Sequence, residues 1–133
     1  MSPSVLVVDD EPGIIEIASA YLRSDGFVVR TATTGRRALD AVATQAPDLI
    51  VLDLMLPDLS GEDVCIALRR STSVPILMLT AKSAESDRLR GLANGADAHL
   101  LQPFSPRALV APVRAILRRP RPASRPPPDA PAT

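Results

Sequence analysis

The 133-residue chain has no tryptophan, a single tyrosine and two phenylalanines. With only Tyr21, Phe27 and Phe104, it offers no aromatic platform for stacking nucleic-acid bases. Its core must be built from Val, Leu, Ile and Ala. Cysteine is nearly absent too. Cys65 stands alone, which excludes an internal disulfide and any paired-thiolate metal site and suits a reducing cytosol. No apolar run approaches the roughly 18–20 residues that cross a bilayer, and the opening MSPSVLVV lacks the layout of a signal peptide. The chain also has no net charge, with 15 Lys/Arg against 15 Asp/Glu. That balance is uneven. Residues 1–117 hold 11 basic and 14 acidic groups, whereas 118–133 hold four Arg and one Asp. The body is mildly acidic and shows no surface suited to a polyanion. These absences predict a cytoplasmic protein that neither enters a membrane nor binds nucleic acid through this body.

What is present is an alternation of short apolar runs with helical patterns. SVLVV (4–8), FVVRTA (27–32), DLIVLD (48–53), VPILMLT (74–80) and HLL (99–101) read as five strands. The first is a continuous β-branched run, as expected of a strand covered on both faces. Pro75 fits only a strand start or an edge. Between the runs, Ile14, Ile15, Ala18, Tyr21 and Leu22 recur at helical spacing after Pro12. Ala38, Leu39, Val42 and Ala43 do so after Gly35. A loop over 54–63 leads into a third helix through Leu68, residues 84–94 form a fourth, and Ser105-Pro106 caps and starts a fifth through about Leu117. Five strands alternating with five helices define an α/β protein with a parallel sheet, expected in the flavodoxin-like order 2-1-3-4-5. The domain spans 1–119. Residues 120–133 are Pro-rich with no apolar periodicity and read as a disordered linker or tail.

In that strand order the first and third strands are neighbours. Asp9 and Asp10 follow the first and Asp53 ends the third, so three carboxylates meet at the carboxyl end of the sheet, where such folds bind ligands. They repel one another unless a cation joins them. A hard divalent ion such as Mg²⁺, held by carboxylates, waters and a phosphate, is the natural occupant. Asp10 or Glu11 can also be read as an ordinary helix cap. Asp58, in LPDLSG, reads as a turn residue, and Cys65 as a small buried hydrophobe.

The segments VLVVDDEP, DLIVLDLMLPDLSG, PILMLTA, GADA and PFSP together resemble, in order and spacing, the receiver domain of a bacterial two-component response regulator. The resemblance covers residues 4–119 and is nearest to the OmpR/PhoB-like subfamily. It implies that Asp53 is the phosphoacceptor, taking a phosphoryl group from the phosphohistidine of a sensor histidine kinase. It further implies Asp10 as a direct Mg²⁺ ligand, Asp9 as a ligand acting mainly through water, and the backbone carbonyl of Met55 as another ligand. Thr80 becomes the switch hydroxyl, with the small Ala81 leaving room for the phosphoryl group. Such a domain is not itself an enzyme. In that subfamily a DNA-binding output domain follows the receiver, so DNA is a partner only through a domain outside this chain.

Three positions depart from the family pattern. Gln102 stands where receivers carry a Lys, and an amide brings no charge to the site, whereas charge-assisted bonds are about twice as strong as neutral ones. His99 stands in place of the aromatic switch residue. On the face made by the last two predicted helices and the strand between them, where relatives dimerise through charge pairs, Ala98, Ala108 and Pro112 replace charged residues. A homodimer there is expected to be weakened, with Arg90, Asp97, Arg114 and Arg118 as remaining partners. Pro112 is also expected to kink the last helix by removing the bond to the Ala108 carbonyl, at about 3 kcal/mol. Gln102 leaves an alternative open: a degenerate pseudo-receiver acting as a phosphorylation-independent interaction module. A phosphatase of the haloacid-dehalogenase type is a weaker alternative. It requires a second Asp two residues after the nucleophile, where this chain has Met55.

Overall fold

The computed structural model describes residues 2–81, 95–102 and 105–119. The helix expected over 84–94 and the tail over 120–133 lie outside the described residues. The elements run β1 (Ser4–Val8), α1 (Pro12–Ser24), β2 (Val28–Ala32), α2 (Gly35–Thr44), β3 (Leu49–Asp53), α3 (Gly61–Ser71), β4 (Ile76–Ala81), β5 (Ala98–Gln102), a 3-10 turn (Pro106–Leu109) and α4 (Val110–Arg118). All strand pairs are parallel and the sheet order is β2-β1-β3-β4-β5. Pro75 sits just before β4, where its missing N–H costs no ladder bond and its carbonyl accepts from the Ile50 N–H.

The continuous apolar runs follow from burial on both faces. Along β1, Leu6 and Val8 pack with Ala38, Val42, Val64 and Leu68 of α2 and α3. The alternate residues Val5 and Val7 pack with Ala18 and Leu22 of α1 and Val113 and Ile116 of α4. β3 divides in the same way, with Ile50 and Leu52 on one face and Leu49 and Val51 on the other. Each such side chain contributes about 1.5–3 kcal/mol on burial. A one-residue slip of either strand would exchange its two faces, so register is tightly specified.

Polar struts fix the strand ends. The Ser4 N–H donates to Asp48 at 2.7 Å, aligning the starts of β1 and β3. A buried arginine ties α3 to the start of β5. Arg69 is 4% exposed. Its guanidinium donates to the carbonyls of Gly95 (2.8 Å) and Val74 (2.8 Å) and to the Asp97 carboxylate (2.9 Å). Asp97 in turn accepts from the Ile76 N–H at 2.8 Å.

Asp97 and Arg114 have partners within the chain, Asp97 in Arg69 and Arg114 in Asp25 at the end of α1. Two expectations are corrected here. Ser105 makes no side-chain cap, and residues 106–109 form a 3-10 turn before the α-helix starts at Val110. Pro112 therefore falls in the first turn of α4. Its absent N–H is one of the donors that lack an intrahelical partner in any case, and the expected penalty does not arise. Finally, α3 begins at Gly61 and ends at Ser71, extending beyond the expected bounds at both ends. Ser60 caps it by accepting from the Asp63 N–H at 3.0 Å.

Removing one member of a buried, multiply bonded ion pair leaves the other charged and poorly solvated. Arg69→Met is predicted to destabilise the domain by about 3 kcal/mol, read as a lower urea midpoint with an unchanged slope. A midpoint equal to wild type would show that the strut contributes nothing.

Candidate functional site

Asp9 follows β1 directly and Asp53 is the last residue of β3. Because β1 and β3 pair in register from Val5↔Leu49 to Val8↔Leu52, both carboxylates emerge at the same edge. One oxygen from each of Asp9, Asp10 and Asp53 lies within 4.8 Å of the others. Asp9 and Asp53 are buried, whereas Asp10 is exposed at the mouth. The predicted cluster is assembled by the sheet order. The helix-cap alternative gains no support at Glu11: it is the N-cap of α1, but its side chain makes no capping bond, and Pro12 fills the first helical position.

The electrostatics are unfavourable without a cation. Asp9 Oδ1 accepts from the Glu11 N–H at 2.9 Å, while Oδ2 is buried and, among the described residues, has no hydrogen-bond partner. Burial pushes the Asp9 carboxyl above the ordinary range, and the neighbouring Asp10 and Glu11 add to this against the single N–H that favours the charged form. Asp53 is raised to about 7, first by burial and then by the charges of Asp9, Asp10 and Glu11. Among the described residues the Met55 N–H, at 3.2 Å from Oδ1, opposes the rise. An orphaned carboxylate oxygen, two buried acids and one exposed acid make an all-oxygen donor set that fits a hard divalent ion and offers nothing to a soft one.

The loop after Asp53 folds back onto it. Met55 and Ser60 form an isolated antiparallel bridge, and the Gly61 N–H donates to the Leu54 carbonyl at 2.7 Å. That closure engages the carbonyl of Leu54 rather than that of Met55, the one predicted as a ligand. A Cβ at Gly61 would lie 2.5 Å from the Asp53 carbonyl oxygen, so only glycine permits this approach.

The remaining predicted residues are placed by their backbone alone. Thr80 lies near the end of β4, in register with Leu101. Gln102 ends β5 opposite Ala81, and His99 sits opposite Met78. Their side chains lie outside the described atoms, as does Lys82. Cys65 is buried on α3, and burial raises its thiol to about 11, which keeps it protonated and unreactive.

Sequence reasoning missed one residue. Asp58 is a cap acting across the fold, beyond the turn role expected of it. Its two carboxylate oxygens accept from the Gly35 and Arg36 N–H groups at the start of α2, at 2.8 and 3.0 Å. These bonds hold its carboxyl below the usual range. The signal available in the sequence was an acid five residues after Asp53 and a helix start at Gly35, 23 residues away from it; nothing local connects them.

Comparison with known proteins agrees with this geometry. Residues 5–114 match the family model of the response regulator receiver domain, and the chain belongs to that family. It is 49% identical over 119 residues to the DNA-binding response regulator MtrA of Mycolicibacterium smegmatis, covering 90% of this chain and 52% of that protein. It is 50% identical over 120 residues to the alkaline phosphatase synthesis transcriptional regulatory protein PhoP of Bacillus subtilis, covering 90% of this chain and 50% of that one. The chain thus spans about half the length of these relatives. Among solved structures it resembles a response regulator from Chloroflexus aurantiacus with a TM-score of 0.84 at 35% identity, covering 90% and 100% of the two chains. It also resembles the Vibrio cholerae chemotaxis protein CheY4, with a TM-score of 0.82 at 32% identity, covering 87% and 99%. No helix among the described residues is long and apolar enough to cross a membrane.

Both buried acids bind protons more tightly in the fold than in the unfolded chain. Between the ordinary carboxylate range and about pH 7, the folded state therefore holds more protons, and stability falls as pH rises through that window. Asp53→Asn is predicted to remove most of this decline. Its advantage over wild type should be small near pH 4 and reach on the order of 5 °C in Tm at pH 8. Parallel pH–Tm curves for the two proteins would contradict the assigned electrostatics.

Proposed function

We propose that this domain accepts a phosphoryl group on Asp53 from the phosphohistidine of a sensor histidine kinase, and so acts as the switch of a two-component signalling pair. The observation that carries the reading is the convergence of Asp9, Asp10 and Asp53 within 4.8 Å at the end of a sheet built in receiver order. The Asp53 carboxylate oxygen attacks phosphorus, the oxygen–phosphorus bond forms as the phosphorus–nitrogen bond breaks, and the departing imidazole takes up a proton. Asp53 must be ionised to attack, and the raised proton affinity of this site works against that.

Asp10, the Asp53 carboxylate and the Met55 carbonyl would hold Mg²⁺ directly, with Asp9 acting through bound water. When bound, the ion supplies the positive charge that keeps Asp53 ionised and offsets charge on the phosphoryl oxygens. The Met55 N–H holds the Asp53 carboxylate in place by bonding Oδ1. Thr80 is the hydroxyl that would bond the phosphoryl group after transfer. Gln102 can donate a neutral hydrogen bond there without adding charge, which predicts acceptance that depends strongly on the cation and a weakened link to the switch. His99 occupies the position of the aromatic switch residue. The domain spans 1–119, with 120–133 as the connection to an output domain that, as in the DNA-binding relatives, would bind DNA. Pairing between copies through the β5 and α4 face is weak in this reading, because Ala98, Ala108 and Pro112 carry no charge and Asp97 and Arg114 are engaged internally.

Intact-mass measurement after incubation with acetyl phosphate is predicted to show one added phosphoryl group in the presence of Mg²⁺, and little in its absence or in Asp53→Asn. Gln102→Lys should increase the phosphorylated fraction at limiting Mg²⁺. A wild-type chain that gains no phosphate under any of these conditions would remove the proposal and favour the phosphorylation-independent module.

A further inference from the structure

The acceptor residue begins a loop whose geometry decides where the Met55 N–H and carbonyl stand. Residues 54–60 leave Asp53 and return to it: Met55 donates to its carboxylate, and Gly61 packs against its carbonyl. A loop closed only upon its own ends can still rock relative to the sheet. Two contacts tie its far side to α2. One is apolar: Leu59 Cβ comes within 2.9 Å of where a Cβ on Gly35 would stand, a fit that requires glycine at the helix start. The other is polar and specific. Asp58 accepts from both Gly35 and Arg36, at 2.8 and 3.0 Å, while Thr34 separately accepts from the Arg37 N–H at 3.1 Å. Three donors of one helix end are thus divided between two residues, and only Asp58 belongs to the acceptor loop. Negative charge at a helix start is favoured by the helix dipole as well as by the two bonds.

We propose that Asp58 is a positioning residue of the acceptor site, anchoring the loop after Asp53 to the first turn of α2 so that the Met55 N–H and carbonyl are held where the carboxylate cluster needs them. This deepens the reading of Asp53 as acceptor and rests on it. The arrangement predicts that losing the anchor disturbs a group near the site that Asp58 itself never touches.

The test compares wild type, Asp58→Ala, Asp58→Asn and Thr34→Ala in the full chain. Two quantities are read: amide hydrogen exchange at Met55 without metal, and Mg²⁺ affinity by calorimetry. Asp58→Ala is expected to speed Met55 exchange by about tenfold relative to the β1 and β3 amides and to weaken Mg²⁺ by about tenfold. Asp58→Asn, which can accept one of the two bonds, should recover much of both. Thr34→Ala weakens the same helix end without touching the loop, and should leave both within about twofold of wild type. The proposal is overturned if Met55 exchange is unchanged in Asp58→Ala. It is equally overturned if exchange rises while Mg²⁺ affinity holds, or if Thr34→Ala does the same as Asp58→Ala. If wild type takes up no Mg²⁺, the acceptor reading fails, and Met55 exchange alone decides whether Asp58 holds the loop.

Discussion

Two buried carboxylates and one exposed carboxylate are held together because the strands that carry them cannot move apart. β1 and β3 each commit one face to α2 and α3 and the other to α1 and α4. Neither strand can shift without exposing apolar side chains worth about 1.5–3 kcal/mol apiece. The repulsion among Asp9, Asp10 and Asp53 is a smaller quantity and is absorbed. Together with the larger effect of burial, it raises the proton affinity of Asp9 and Asp53, and among the described residues one Asp9 oxygen has no hydrogen-bond partner. The fold thus maintains an acidic site whose repulsion a cation would relieve.

Polar struts brace both ends of the sheet. Asp48 aligns the starts of β1 and β3, Arg69 ties α3 to the approach to β5, and Asp58 pins the acceptor loop to α2. Arg69 and Asp58 each use a charged group to satisfy several backbone groups at once, and Asp48 accepts from the N–H and the hydroxyl of Ser4. Gln102 ends β5 in register with Ala81. In the proposed reading it brings no charge to the carboxylates, and their neutralisation would fall on a bound ion.

Much of this was legible in the sequence because it depends on local pattern. The β-branched runs, the strand-end acids and the Pro at the first helical turn each lie within a few residues of what they determine, whereas the strand order, and with it the cluster, followed from the fold class that the strand–helix alternation implies. What was missed depends on partners distant along the chain. Arg69 drew no notice in the sequence, because the Asp97 that it binds lies 28 residues away. Asp58 reads as a turn residue until α2 presents its unpaired N–H groups. Pro112 was misjudged for a different reason. A 3-10 turn over Pro106–Leu109 shifts the start of the α-helix, and a residue that looked interior falls in the first turn.

The central claim is that the three carboxylates form one cation site centred on the acceptor. Mn²⁺ shares the oxygen preference of Mg²⁺ and broadens nuclear resonances close to it, so its effect on the backbone amide spectrum reports the site directly. At low Mn²⁺ the account predicts selective loss of the amide signals around residues 9–11 and 53–56, reversed by excess Mg²⁺ and absent in Asp10→Asn. Broadening that centres elsewhere, or that Mg²⁺ does not reverse, would contradict it.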